Sequence, residues 1–506
     1  MSKLSELIPA GGSAKELSAV ASGALPNSKA VILKANGQVE AVAESTTSPS
    51  MPLGTQTQFA NRNTQSNSLV ADPHNSNRWI IAWADDDGSQ DVLLRVITLS
   101  GTTWTLSSEI PMSLSGNTGR YPAIAWDEGV VNKVLITYNN SSNDGAAKIG
   151  TISGSAGSES ISFGSEHVFT TQTAYSQNRS PNQLLCLDTN GNYLKTFIGS
   201  TGYDTTIYGI ILQVSSTTVT SGSETTLTSA AETGMSSIAF VPEDHNKIIF
   251  GYKKNTTGYA ALRQLTISAT TITVGGENSG SMWIGTEGLS LLVLSATKVV
   301  MVCQKDSGRY PSYQILTNSS GTFSFGTFTT ITSSNSMYIM ASNNQSGDPS
   351  TFVLSYANAS GTRYSRAKIG TINAAVSSVS FNSETQLSTT VFGNHACVSQ
   401  QSDASGTFAY VFEPSTNNQG FLLLGQTGGA STNLTATNFV GFASEAISSG
   451  ATGVINPIGG VSSNQTSLTI GSTYYVQPAG TLATSAGSPS VVAGKAISAT
   501  SILLKG

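Results

Sequence analysis

Residues 121–169 read YPAIAWDEGVVNKVLITYNNSSNDGAAKIGTISGSAGSESISFGSEHVF, and this stretch decides the fold. Its four apolar segments, AIAW, KVLITY, AAKIGTI and SISFGSEHVF, alternate apolar with polar side chains and are separated by turn-forming Asn, Asp, Gly and Ser. Period-two alternation in short runs bounded by such residues is the pattern of β-strands. Four strands joined by tight turns make one antiparallel sheet.

The same unit returns along the chain. It starts near Ser68 (SLVADPHNSNRWIIAWADD), Gln183 (QLLCLDTNGNYLKTFIG), Ser236 (SSIAFVPEDHNKIIFGY), Leu289 (LSLLVLSATKVVMVCQ) and Met337 (MYIMASNNQSGDPSTFVLSY). The starts lie about 50–60 residues apart, the length of a four-stranded β-propeller blade. A last unit from His395 offers only three strands, HACVSQQ, GTFAYVFE and GFLLLGQ. The missing one stands at residues 53–59, where LGTQTQF resembles FGSEHVF at 163–169. The expected fold is therefore all-β. Residues 52–429 should form a seven-bladed β-propeller whose ring is closed by an N-terminal strand, which would leave no open sheet edge. Aromatic residues late in the second strand (Trp83, Tyr138, Tyr252, Tyr356 and Phe412) are expected to pack between blades.

Composition agrees. Of 506 residues, 10% are charged and 38% hydrophobic, with 50 Gly. Such a chain favours strands over helices and is too apolar for disorder. The net charge of −5 gives no basic field for nucleic acid. No run of ~20 apolar residues could span a bilayer, so membrane insertion is not expected. The opening residues lack an apolar stretch of signal-peptide length, so synthesis in a cytoplasm without export is the expectation.

Two flanking modules are expected. Residues 1–47 contain a hairpin, SKAVILKANGQVEAV at 28–42, turning at Asn36-Gly37, preceded by a short helix over SAKELSAVASGA. So small a segment should dock on a partner or on copies of itself. Residues 430–506 read as a small β-sandwich or barrel, punctuated by Gly and Ser.

Cys186, Cys303 and Cys397 sit far apart in apolar runs without CxxC spacing and read as buried thiols. His74 and His245 occupy equivalent first turns, and His167 and His395 fall in other units. No nucleophile elbow, zinc motif or phosphate loop is present. The nine arginines (Arg62, Arg78, Arg95, Arg120, Arg179, Arg263, Arg309, Arg363 and Arg366) do not recur at the unit starts that would line a channel. No aspartate-box loop precedes Trp104 in SGTTW. These features point away from an enzyme.

Asp85, Asp86, Asp87 and Asp91 surround Gly88 between two strands. Carboxylates around a glycine turn can hold calcium through oxygen, with Asp85, Asp87 and Asp91 as ligands. Equivalent turns elsewhere (NNSSNDG, KKNTTGY and QKDSGRY) lack the acids, which favours a plain polar hairpin tip. No other cofactor is indicated. In a propeller, the turns between second and third strands share a face with the connections between blades. That face would carry Arg120, Tyr121, Tyr175, Tyr203, Asp204, Lys253, Tyr259, Trp283, Arg309, Tyr310, Arg363 and Tyr364, with Gly-Arg-Tyr-Pro at both 119–122 and 308–311. Aromatic faces with a few polar groups suit glycan stacking, and Tyr and Arg are also anchors of protein interfaces, so the face reads either as a ligand site or as a contact with other proteins.

Three stretches carry a family resemblance. IPAGGSAKELSAVASGALPNSKAVILKANGQVEAV resembles segments that open virion proteins of tailed bacteriophages, especially those of marine bacteria. AIAWDE…NKVLITYNN…AKIGTISG…ISFGSEHVF is similar to repeats of phage tail-fibre and other virion propellers. SLTIGSTYYVQPAGTLAT…VVAGKAISATSILLKG resembles a C-terminal module of phage fibres and appendages. The resemblance implies a non-enzymatic virion appendage or tail-fibre-type protein, a homo-oligomer held by other virion proteins. Its propeller would bind a host-surface glycan. The alternatives are a purely structural virion part (capsid fibre, nozzle or connector) and, third, a glycan-degrading enzyme.

Overall fold

Runs of β-branched and aromatic residues form the second strand of each repeat, as in Arg78–Asp85 (RWIIAWAD), Lys133–Asn139 (KVLITYN) and Thr351–Asn358 (TFVLSYAN). Their interiors are buried on both faces, because a sheet packs on each side. The computed structural model describes residues 16–505 except 48–49, 86–90, 113–118, 176–183, 200–205, 230, 243, 306–307, 344–349, 360–362, 393–396, 402–405, 415–418, 428 and 488. Among the described residues there is no helix; the protein is all-β.

Every repeat follows one antiparallel order. In the second, Arg120–Trp126 pairs with Lys133–Asn139 (Trp126 opposite Val134), which pairs with Asp144–Ser153 (Val134 opposite Gly150). The outermost strand is split where one strand was expected. Ser160–Phe163 pairs with one half of the third strand, Gly150 facing Phe163, and His167–Tyr175 with the other, Ala147 facing His167. The Gly-Ser-Glu corner at 164–166 separates the halves.

In the last repeat, Cys397–Gln400, Thr407–Phe412 and Gly420–Gln426 are followed in the sheet by Ser50–Ala60. Leu53 lies opposite Leu424, Thr57 opposite Leu422 and Gln58 opposite Phe421.

The core lies between consecutive sheets. Alternate residues of one second strand serve different neighbours. Ile80 and Ala82 pack with Ile124, Val134 and Ile136 of the second repeat. Trp79, Ile81 and Trp83 pack with Ala409, Val411 and Leu422 of the last. Each fully buried large apolar side chain contributes about 1.5–3 kcal/mol, so both faces of a sheet matter to stability.

Serines of the first strands add a polar rung. Ser68 Oγ accepts the Ile124 N–H at 3.2 Å, Ser237 Oγ that of Leu291 at 3.3 Å and Ser290 Oγ that of Ala341 at 3.0 Å. Ser342 Oγ accepts the Gln400 N–H at 3.2 Å, and Ser399 Oγ the Ala71 N–H at 2.9 Å. Each bond gives a backbone N–H at the edge of one sheet a partner on the neighbouring sheet, which the edge of its own sheet does not supply.

The two chain ends, expected as separate modules, form one compact unit of residues 1–47 and 430–506; residues 48–429 form the other. Ala30–Leu33 and Val39–Ala41 make the hairpin, and Ala30 pairs with Phe442 of the C-terminal segment. The hairpin's apolar face thus docks within the same chain. The segment expected as a short helix contains the strand Leu17–Val20, which pairs with Thr452–Pro457. Its Ala-rich helix propensity yields to a free sheet edge, a tertiary override of a weak local preference. Residues of two five-stranded sheets, Ala30, Ile32, Phe439 and Phe442 on one and Tyr474, Val491, Ile502 and Leu504 on the other, share a core.

Candidate functional site

The expected binding face depends on side chains at the ends of second and third strands. Tyr259 opens a third strand, Tyr259–Ser268, and lies opposite Trp283 in the strand Asn278–Ser295. The register makes these two rings neighbours, 6.4 Å apart and edge to face. Gly258, at φ +70°, lies against the indole: an added Cβ there would sit 3.0 Å from Trp283 Cε3. The Ile284 N–H donates to Gly258 O at 3.0 Å and ties the segment down. Trp283 is nevertheless 56% exposed, beside an exposed Met282. A large aromatic surface is therefore held rigid and left in water.

The other expected residues are not drawn into this pair. Arg120, Arg309 and Arg363 are exposed, and Tyr121, Tyr310 and Tyr364 half-buried. The two Gly-Arg-Tyr-Pro strings differ in backbone: Tyr121 takes φ +53° in the first, Arg309 φ +53° in the second. One opens a first strand and the other a third, Tyr310–Ser319. Tyr175 ends a strand opposite Ile198. Tyr203 and Asp204 lie outside the described residues, as do Arg179 and His395.

Asp85, offered above as a calcium ligand, is buried and paired with Arg62 at 2.9 Å. Asp91 accepts the N–H of Val92 at 2.8 Å, and Asp87 lies outside the described residues. Among the described residues no group of three or more His, Cys, Asp or Glu side chains could hold a metal. Arg78, Arg95, Arg263 and Arg366 are likewise engaged, with Asp72, Glu109, Glu277 and Glu384. His74 Nε2 bonds the Asp127 carbonyl at 2.8 Å, and His245 packs on Phe240. Cys186 and Cys303 are buried as expected, and Cys397 is half-buried; burial pushes the Cys186 thiol up to about 12.

Two features were missed in the sequence. The first is a glutamate at the corner of the outer strand, reached by the buried tyrosine of the second: Tyr138 Oη donates to Glu166 at 2.6 Å, Tyr252 Oη to Glu277 and Tyr356 Oη to Glu384. The signal was present as recurring GSEH, GGEN and NSET strings. Burial, with the hydrogen bond to Glu166 next, pushes the Tyr138 phenol far above its usual range. The second is a cavity of about 250 Å³ between the first strands. Val70, Ile124, Leu184, Ile238, Leu291, Ala341 and Gln400, one from each repeat, all line it.

No family model matches the chain, and no curated protein matches it significantly. Solved structures do. A protein of unknown function from Dyadobacter fermentans aligns at 11% identity and TM-score 0.41, over 76% of this chain and 99% of its own. The Aleuria aurantia lectin, solved with Fucα1-6GlcNAc, aligns at 12% identity and TM-score 0.39, over 65% and 98%. The NanB sialidase of Streptococcus pneumoniae aligns at 11% identity and TM-score 0.39, over 75% and 70%.

Proposed function

We propose that this chain is a non-enzymatic appendage protein of a tailed-phage virion, whose repeats close as a seven-bladed β-propeller presenting a glycan-binding face to the host surface. Closure is supported by the pairing of Ser50–Ala60 with Gly420–Gln426, by the Ser399–Ala71 hydrogen bond, and by the cavity on which one strand of every repeat converges. The virion setting rests on the sequence resemblance.

The observation that carries the binding reading is Trp283. An indole fixed on Gly258 and Tyr259 but open to water offers a flat, low-entropy surface for the C–H face of a sugar ring. Arg309 and Arg363, exposed just before third strands of the next two repeats, add hydrogen-bond donors to such a face. Attachment falls to the unit made of the chain ends, where Val461, Ile470, Ile497 and Leu503 are exposed apolar residues. Its partners are other virion proteins and further copies of the chain. The same apolar residues favour, as a second reading, a purely structural virion part.

A glycan array probed with the wild-type protein and with Trp283→Ala tests the reading. Binding to a defined glycan set, lost in the variant without a change in melting temperature, is the expected result. No glycan binding by the wild type, together with tight binding to a virion protein, would hand the case to the structural reading.

A further inference from the structure

The cavity between the first strands lies toward the end of the sheets that carries the turns from first to second strands, where it meets Asp72, Pro73 and Glu128. Tyr259 and Trp283 stand at the opposite strand ends. At about 250 Å³ it far exceeds the ~10–15 Å³ that holds one water and approaches the ~300 Å³ at which small-molecule pockets begin.

Two acids belong to its lining, and one is already spent. The Asp72 carboxylate is buried and held by Arg78 at 2.5 Å, whose guanidinium also lies over the Trp126 ring, 5.1 Å from its centroid. Glu128 differs. It stands in the turn that leaves the first strand of the second repeat and is half-buried, and among the described residues its carboxylate makes no hydrogen bond and no ion pair. The neighbouring acids are occupied by backbone: Asp127 accepts the N–H groups of Gly129 and Val130 at 2.9 and 3.0 Å, and Asp188 those of Asn190 and Asn192 at 2.9 and 3.1 Å.

Charges from three other repeats act on Glu128: His74 of the first, Asp188 of the third and His245 of the fourth. That reach places the carboxylate over the mouth of the cavity, not on the outer side of its own sheet. Neither histidine bonds it, since His74 Nε2 is engaged with the Asp127 carbonyl and His245 with the Phe240 ring. Burial is the largest influence and raises the Glu128 pKa above the ordinary carboxylate value. A carboxylate drawn out of water without a counter-charge is costly, and a positive guest would relieve that cost.

The rest of the lining narrows the kind of cation. No Lys, Arg or His lines the cavity. Leu185, Ile238, Leu292 and the half-buried ring of Phe240 do, and Phe240 is braced by His245 at 4.6 Å between ring centroids. One free carboxylate in such surroundings is poor in the oxygen ligands that a hard ion such as calcium takes. An organic ammonium ion needs a single counter-charge and gains from apolar and aromatic walls.

We propose that this cavity binds a small organic ammonium ion, with Glu128 as its counter-charge and Phe240 as the ring beside it. The site is separate from the Trp283 surface and does not depend on it.

Calorimetric titration of the full chain with choline chloride and with tetramethylammonium chloride, at neutral pH and constant ionic strength, tests the assignment. Glu128→Gln, Phe240→Leu and Trp283→Ala are run in parallel, with melting temperatures to show that each variant is folded. Saturable binding of at least one probe is expected. It should weaken at least about tenfold in Glu128→Gln, through loss of the counter-charge, and about threefold or more in Phe240→Leu, and persist in Trp283→Ala. Two lining variants guard against one that fails to fold. No saturation with either probe, binding that Glu128→Gln and Phe240→Leu leave unchanged, or binding abolished by Trp283→Ala would overturn the proposal. So would displacement of the probe by an equal concentration of sodium, which would mark a site for any monovalent ion.

Discussion

Removing one corner glutamate should unlock a sheet from within. In the sixth repeat, Tyr356 is buried with 1% exposure, and its hydroxyl donates to Glu384. Arg366 Nη1, on the strand that pairs directly with Tyr356, donates to the other carboxylate oxygen at 2.8 Å. Glu384→Ala leaves the phenol oxygen buried without its acceptor. A hydrogen bond to a charged group is worth about 1.5–3 kcal/mol, and the half-exposed arginine pair adds about 0–1 kcal/mol. The expected loss is therefore about 2–4 kcal/mol. Tyr356→Phe removes the donor and leaves the arginine pair intact, at about 1–2 kcal/mol. The two changes share one interaction, so the double variant should cost little more than Glu384→Ala alone. Urea unfolding followed by tryptophan fluorescence measures all four corners of the cycle. A coupling energy of about 1–2 kcal/mol is expected. Additive losses would mean that the tyrosine–glutamate contact does not fasten the outer strand, and the same contact at Tyr138 and Tyr252 would lose its meaning too.

Other consequences are as direct. Lys195 is 3% exposed, its amine has no hydrogen-bond partner, and burial lowers its pKa to about 7. In the unfolded chain it titrates near ~10.4. Because the folded value is the lower one, the unfolded state binds more protons between these values, and stability rises with pH across that window. Lys195→Met should therefore stabilise the protein most below pH ~7, by about 1–3 kcal/mol, with the advantage fading by pH ~10.4. Melting curves from pH 6 to 10 that run parallel for the two proteins would disprove this. Gly164 and Gly222 face the carbonyls of Thr217 and Thr270 in the following repeat, where an added Cβ would lie 2.2 and 2.5 Å away. Gly164→Val should cost at least about 1–3 kcal/mol through overpacking, and an unchanged denaturation midpoint would show that the sheets can part there.

The glycine and glutamate of the corner show how far the sequence could be read. Repeat length, strand order and the apolar face of each strand were all visible at 121–169, because alternation and turn residues are local signals. The match of LGTQTQF to FGSEHVF even located the partner of Gly420–Gln426. What the match concealed was why the string recurs: Gly admits the next sheet's backbone and Glu receives the tyrosine, and both roles belong to contacts between strands distant in sequence. The serine rungs escaped for the same reason, since one Ser in a Ser-rich chain carries no signal until its partner strand is placed. The helix expected before the hairpin failed because Leu17–Val20 meets a free edge more than four hundred residues away in sequence. At the proposed binding face, aromatic residues were legible as a set. Only the register of Tyr259 against Trp283 singles out an exposed indole backed by a half-buried ring.

Closure of the ring is tested most directly by a covalent link across it. Gln58 and Phe421 are directly opposed, one near the start of the described chain and the other in the last repeat. Antiparallel partners lie within the ~4.4–6.8 Å Cα separation that a disulfide spans. Gln58→Cys with Phe421→Cys should form that bond in the folded protein, seen as a faster-migrating species without reductant and a linked peptide pair by mass spectrometry. A folded double variant in which both new cysteines remain reduced under oxidising conditions would contradict the closed ring.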